Sequence, residues 1–105
     1  MITIHITDRE YKTHSILVPV DIDLNLMEIA KANDLPVEGT CGGMALCASC
    51  HMYIISDHEL KEPSQDEIIM LDQAFFVEEN SRLGCQIKVN EKLDGLTVKL
   101  APVAN

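Results

Sequence analysis

Isoleucine alternates with polar residues from Ile2 to Thr7, the two-residue period of a strand with one buried face. Asp8-Arg9-Glu10 then offers a turn, and Lys12 to Val18 can return as the second strand of a hairpin. After Leu24 the period changes. Asn25-Leu26-Met27-Glu28 reads as a capping box, with Asn25 at the N-cap, Glu28 at N3 and Leu24 placed to staple onto Ile29. A helix from about Leu26 to Ala32 follows, carrying Leu26, Ile29, Ala30 and Asn33 on one side and ending at Asn33-Asp34 ahead of Pro36. His51 to Ile55 reads as a buried strand. Ser64 and Glu67 repeat the capping logic at the head of a second helix, whose apolar face continues through Ile68, Leu71 and Phe75. Ser81 to Val89 leads into a further strand, Asp94-Gly95 turns the chain, and Leu96 to Leu100 forms a last strand. The end of the chain, Leu100 to Asn105, reads as a frayed tail. Strands and helices mix without regular βαβ alternation, so the predicted class is α+β. Repeats, low-complexity stretches and linkers are lacking, and residues 1–105 read as a single domain.

Composition narrows the class. A chain of 105 residues with 47% hydrophobic content can bury roughly 60–70% of its unfolded surface. With two Tyr, two Phe and no Trp, its core must be aliphatic. Seventeen acids against eight Lys and Arg give a formal charge of −9, which argues against nucleic acid and anionic membranes as partners and for a basic protein surface. No apolar run approaches the length of a membrane span. The first strand begins at once, so no leader is expected. The expected place is the bacterial cytoplasm, or an organelle matrix if a presequence has been removed, and the expected state is a monomer.

The candidate chemistry lies in four cysteines, Cys41, Cys47, Cys50 and Cys85, spaced C-x5-C-x2-C-x34-C. Three thiolates from one loop and one from a distant strand can close the four-sulfur cage of a 2Fe–2S cluster. Such a loop needs its backbone near the sulfurs, so that N–H groups offset their charge. The backbone of Gly42, Gly43, Met44, Ala45, Leu46, Ala48 and Ser49 would surround the core, and most of these side chains are small. A structural zinc module that only mediates protein contacts is the alternative from another class. Zinc sites more often use two short Cys-x2-4-Cys knuckles, whereas Cys85 stands alone. A disulfide framework suits a secreted domain, which nothing here marks. Cys47-Ala48-Ser49-Cys50 has the form of a dithiol redox motif, but it leads into a strand rather than opening a helix.

Around the cysteines, Glu38-Gly39-Thr40-Cys41, Cys50-His51, Met70-Leu71-Asp72, Ser81 to Ile87 and Leu93 to Val98 resemble the signature segments of the adrenodoxin and putidaredoxin branch of 2Fe–2S ferredoxins. Five residues between the first two cysteines, where the plant type has four, point to the same branch. The resemblance implies a β-grasp fold, a mixed sheet with a crossing helix and a small acidic interaction region at about 57–80. It implies one 2Fe–2S cluster and an electron carrier rather than an enzyme. Electrons would pass from an NAD(P)H-dependent flavoprotein ferredoxin reductase to an acceptor such as a haem-thiolate cytochrome monooxygenase, or serve iron–sulfur cluster assembly. Residues 57–79 carry Asp57, Glu59, Glu62, Asp66, Glu67, Asp72, Glu78 and Glu79 against the single base Lys61. By composition alone this is equally a solvated face with acids favouring a helix dipole. The resemblance makes Asp66, Glu67 and Asp72 candidate docking acids, although Ile68-Ile69 stand where mitochondrial members are more acidic. It makes His51 a link between cluster loop and interaction region, and Arg82 a partner in an internal ion pair; without it, Arg82 could equally be an exposed base. The tail lacks the terminal aromatic residue of some monooxygenase partners.

Overall fold

The computed structural model describes residues 1–35, 51–73 and 76–102. Strands β1 (Ile2–Thr7) and β2 (Thr13–Val18) form the hairpin that the alternation predicts, in antiparallel register from Ile2 opposite Val18 to Thr7 opposite Thr13. Ile2, Ile4 and Ile6 point into the core. The turn is held by Asp8, whose Oδ1 accepts the Glu10 and Lys12 N–H groups, and Tyr11 sits at φ 67.

Helix α1 (Leu26–Ala32) begins where the capping box places it. The Asn25 side chain accepts the Glu28 N–H at 2.8 Å, and the Glu28 carboxylate accepts the Asn25 N–H at 3.1 Å. Its buried side carries Leu26, Met27, Ile29 and Ala30; Asn33, predicted on that side, is exposed and caps the far end instead.

β3 (His51–Ile54), β4 (Ser81–Leu83) and β5 (Thr97–Leu100) complete the described sheet, in the order β2-β1-β5-β3-β4. β5 runs parallel to β1, and the other pairings are antiparallel. This is the mixed sheet of a β-grasp fold. Ile4, Ile6, Met52, Val98 and Leu100 from the sheet share one apolar cluster with the α1 side chains. Before β5 the chain turns at Asp94-Gly95. Gly95 adopts φ 83, which a side chain would strain, while its N–H donates to Thr3 O and the Asp94 carboxylate accepts the Thr3 N–H.

Two expectations are corrected. Leu100 and Ala101 are no frayed tail: both are buried, the Ala101 N–H donates to His51 O, and Arg9 Nε donates to Ala101 O. Helix α2 (Gln65–Gln73) turns Glu67, Met70 and Leu71 inward, while Ile68, predicted on its apolar face, faces solvent. Phe75 lies outside the described residues, as do residues 103–105 of the tail. Among the described residues, no helix is long and apolar enough to cross a membrane.

Candidate functional site

Cys85 is the described member of the cysteine constellation. It is buried in a single 3₁₀ turn, Gly84–Gln86, directly after β4. The Gln86 side-chain amide donates to its Sγ at 3.5 Å, the kind of contact that offsets charge on a ligating thiolate. Cys41, Cys47 and Cys50, with loop positions Gly42, Gly43, Met44, Ala45, Leu46, Ala48 and Ser49, lie outside the described residues. The chain re-enters at His51, one residue after Cys50, and His51 pairs with Leu83, two residues before Cys85. Strand pairing therefore brings the exit of the cysteine loop beside the segment carrying the fourth cysteine.

Two helices hold that segment. On the α1 side the grip is backbone: the Leu26 N–H donates to Ile87 O, and the Val89 N–H donates to Leu24 O. On the α2 side it is a carboxylate. Glu67 is fully buried at 0% exposure and takes the Arg82 guanidinium in a two-pronged ion pair, Nε to Oε2 at 2.7 Å and Nη2 to Oε1 at 3.0 Å. Oε2 also accepts the Leu83 N–H at 2.9 Å, and Arg82 Nη1 donates to Lys61 O at 2.8 Å. This geometry is strong because planar guanidinium and carboxylate match, and because the spare acceptor capacity is used. Glu67 is thereby corrected: no partner can reach it, and it leaves the docking set. Asp66 and Asp72 are exposed.

The structure also defines the surroundings of His51. The ring is buried, and burial pushes its pKa below the ordinary 6.5, so it is neutral at pH 7. Its Nε2 lies 2.7 Å from Ser81 Oγ, which also accepts the Glu78 N–H at 2.8 Å. The ring packs edge-on against Tyr53 at 5.3 Å between centroids, and the Tyr53 hydroxyl donates to Phe76 O at 2.6 Å. The position after the cysteine loop is thus joined through side chains to the segment following α2. Sequence reading placed Ser81 in a signature segment but gave it no role, and it missed Asn80, whose amide donates to Ile54 O, because their partners lie far along the chain. Among the described residues no group of three His, Cys, Asp or Glu side chains is arranged to hold a metal ion. A buried thiol with an amide donor fits one corner of a thiolate-ligated cluster.

Comparison with known proteins bears on the same residues. The 2Fe–2S iron–sulfur cluster binding domain family matches residues 10–90. A 2Fe–2S ferredoxin of Rickettsia montanensis is 45% identical over 101 residues, covering 94% of this chain and 87% of the relative. The mitochondrial adrenodoxin homolog of Saccharomyces cerevisiae is 40% identical over 101 residues, 94% of this chain and 56% of that protein. Among solved structures, a reduced cysteine-to-serine variant of putidaredoxin from Pseudomonas putida superposes with a TM-score of 0.88 at 28% identity, over 96% of this chain and 97% of the other. Putidaredoxin in its covalent complex with putidaredoxin reductase gives 0.83 at 30% identity, over 93% and 96%. An ISC-like 2Fe–2S ferredoxin of Pseudomonas putida gives 0.83 at 28% identity, over 100% and 97%.

Proposed function

The chain belongs to the adrenodoxin/putidaredoxin-type 2Fe–2S ferredoxins, electron carriers that hold one 2Fe–2S cluster, and from that premise we propose that it carries single electrons from an NAD(P)H-dependent flavoprotein ferredoxin reductase to an acceptor protein. Cys41, Cys47, Cys50 and Cys85 hold the cluster, with the backbone of residues 42–49 around it. When bound, the cluster supplies a site that accepts and returns one electron. The chain's own residues do the rest. Glu67 and Arg82 fix the approach to Cys85, Gln86 donates to its sulfur, and His51 links the loop exit to the region after α2.

The observation that carries this reading is the pairing of His51 with Leu83, which supports convergence of the loop cysteines on Cys85. Exposed Asp66 and Asp72, within an interaction region at about 57–80, steer a basic reductase face and then a basic acceptor face. The solved complex of putidaredoxin with its reductase supports the reductase as a partner class. A haem-thiolate cytochrome monooxygenase is the acceptor class we favour, in the bacterial cytoplasm. Cluster assembly is the second reading, supported by the likeness to an ISC-like ferredoxin over the whole chain.

The test is the visible spectrum of the purified protein and of Cys85→Ser. A red-brown protein whose charge-transfer bands bleach on reduction is expected, with the variant losing those bands or holding a labile cluster. A colourless protein with stoichiometric zinc would establish the interaction-module alternative. Reconstituted turnover with a monooxygenase, set against stimulation of cluster assembly, separates the two ferredoxin readings.

A further inference from the structure

Helix α2 wears its polarity inside out. At 3.6 residues per turn, Glu67, Met70 and Leu71 occupy the arc toward the sheet, and Asp66, Ile68, Ile69 and Asp72 the arc toward solvent. Ile68 and Ile69 are each 46% exposed. Residues three and four apart on a helix are neighbours, so Asp72 stands beside both. An outward helix position with no packing demand is better filled by a straight-chain polar residue. β-Branched isoleucine is the weaker helix former there, and two in succession expose apolar surface. Past the helix, Phe76 (54%) and Val77 (44%) are also exposed apolar residues, followed by exposed Glu78 and Glu79. Phe76 is held at φ 62, an unusual conformation for an aromatic residue, with its carbonyl bound by the Tyr53 hydroxyl.

Charge indicates what covers this face. No Lys or Arg occurs between Lys61 and Arg82, and Arg82 is committed to Glu67. The face is therefore apolar at its centre and acidic at its rim, and its complement is an apolar depression ringed by Lys and Arg. We propose that Ile68 and Ile69 are the apolar anchors of the docking surface, seating in such a depression on the flavoprotein ferredoxin reductase, with Asp66 and Asp72 as the steering rim. This rests on the electron-carrier reading and deepens it. The two groups divide the work: rim charges set encounter rate and salt dependence, while buried apolar contacts set residence time.

The experiment is steady-state reduction of cytochrome c, through this protein, by the NAD(P)H-dependent flavoprotein ferredoxin reductase of the same organism. The wild type, the double variant Ile68→Ser/Ile69→Ser, and Asp72→Asn are compared across a range of salt. The double variant should raise the KM for this protein about tenfold, with unchanged kcat and unchanged salt dependence. Asp72→Asn should flatten the salt dependence. The visible spectrum reports whether each variant keeps its cluster, and Ile69→Gln alone serves if the double variant does not. An unchanged KM in the Ile variants overturns the anchor role while leaving the carrier reading intact. So does a wild-type dimer in sedimentation that the Ile variants dissociate, since the face would then be covered by a second copy. If the reductase cannot reduce the wild type at all, the carrier reading fails, and the anchor role with it.

Discussion

Helices α1 and α2 meet the same segment of chain around Cys85 and hold it by opposite means. α1 is an ordinary amphipathic helix, with Leu26, Met27, Ile29 and Ala30 in the core and a complete capping box at its head. Its first residue, Leu26, donates to Ile87 O, and Leu24 just before it accepts the Val89 N–H, both through the main chain. α2 has the reverse polarity, with a carboxylate at the centre of its buried face and two isoleucines in water. Its N-cap is half built: Ser64 Oγ accepts the Glu67 N–H at 3.2 Å, but the Glu67 carboxylate turns away to Arg82 and Leu83 instead of closing the box. Apolar burial is non-directional, so α1 is anchored by area. An ion pair demands one geometry, so beside the partly buried Met70 and Leu71 the Glu67–Arg82 pair fixes α2 at one point, which leaves its outer face to be written by whatever it must meet.

The largest effect follows from that single point. Glu67→Gln leaves the Arg82 guanidinium, only 12% exposed, without its counter-charge and weakens the bond to the Leu83 N–H; the expected loss is about 3–5 kcal/mol. Leu26→Ala in α1 should cost a similar amount, about 2–5 kcal/mol, by leaving a cavity. The two should fail differently. Leu26 belongs to the shared core, so far-UV circular dichroism and visible absorbance should melt together in Leu26→Ala. In Glu67→Gln the visible band should go first, because the damage lies next to Cys85. Coincident transitions in both variants would dissolve the distinction between the helices. Replacing both partners, Glu67→Leu with Arg82→Met, should recover part of the loss but not all, since the Leu83 N–H still lacks its acceptor.

A smaller effect separates the helix heads. Asn25→Ala removes an acceptor from a buried, reciprocal cap and should cost about 1 kcal/mol, read as a drop in thermal midpoint. Ser64→Ala removes one longer bond at an exposed residue and should cost about 0.5 kcal/mol, the low end for such caps. Equal losses would mean that α2 depends on its cap as α1 does.

The same contrast explains what could be read in the sequence. The hairpin, α1 with its capping box, the Asp94-Gly95 turn and the ferredoxin branch were legible, because each is carried by local period, local chemistry or motif spacing. The mixed sheet came with the family resemblance rather than from any period, and its strand order came only from the structure. Glu67 was misread because an acid in the first turn of a helix looks like a solvated charge. Its partner stands fifteen positions along the chain, and only tertiary structure reveals the pair. One signal was available: Glu67 falls between the arcs of Met70 and Leu71, where an apolar residue belongs. Ala101 was misread as tail because its partners, His51 and Arg9, lie far away in sequence.

A carboxylate also holds the chain, on a smaller scale, in the β1–β2 turn, where the smallest effect is expected. Asp8 accepts from His14 Nε2 at 2.8 Å and from two backbone N–H groups. The hydrogen bond from His14 is the main cause that holds its carboxyl below the ordinary 3.8, followed by the Lys12 N–H, with the charge of the imidazole contributing least. A depressed native pKa means that the contribution to stability is complete above the unfolded value and lost as pH falls through the native one. Because a hydrogen bond dominates, the oriented donor at His14 Nε2 rather than ring charge sustains it. The difference in thermal midpoint between wild type and Asp8→Asn should therefore be small and constant across roughly pH 5 to 8. It should shrink only below about pH 4, where cluster bleaching after a rapid pH jump would bring the two proteins together. A difference that shifts between pH 5 and 8 would mean that the Asp8 carboxyl does not set the contribution. The turn would then be held by paired charge, as α2 is, rather than by an oriented acceptor.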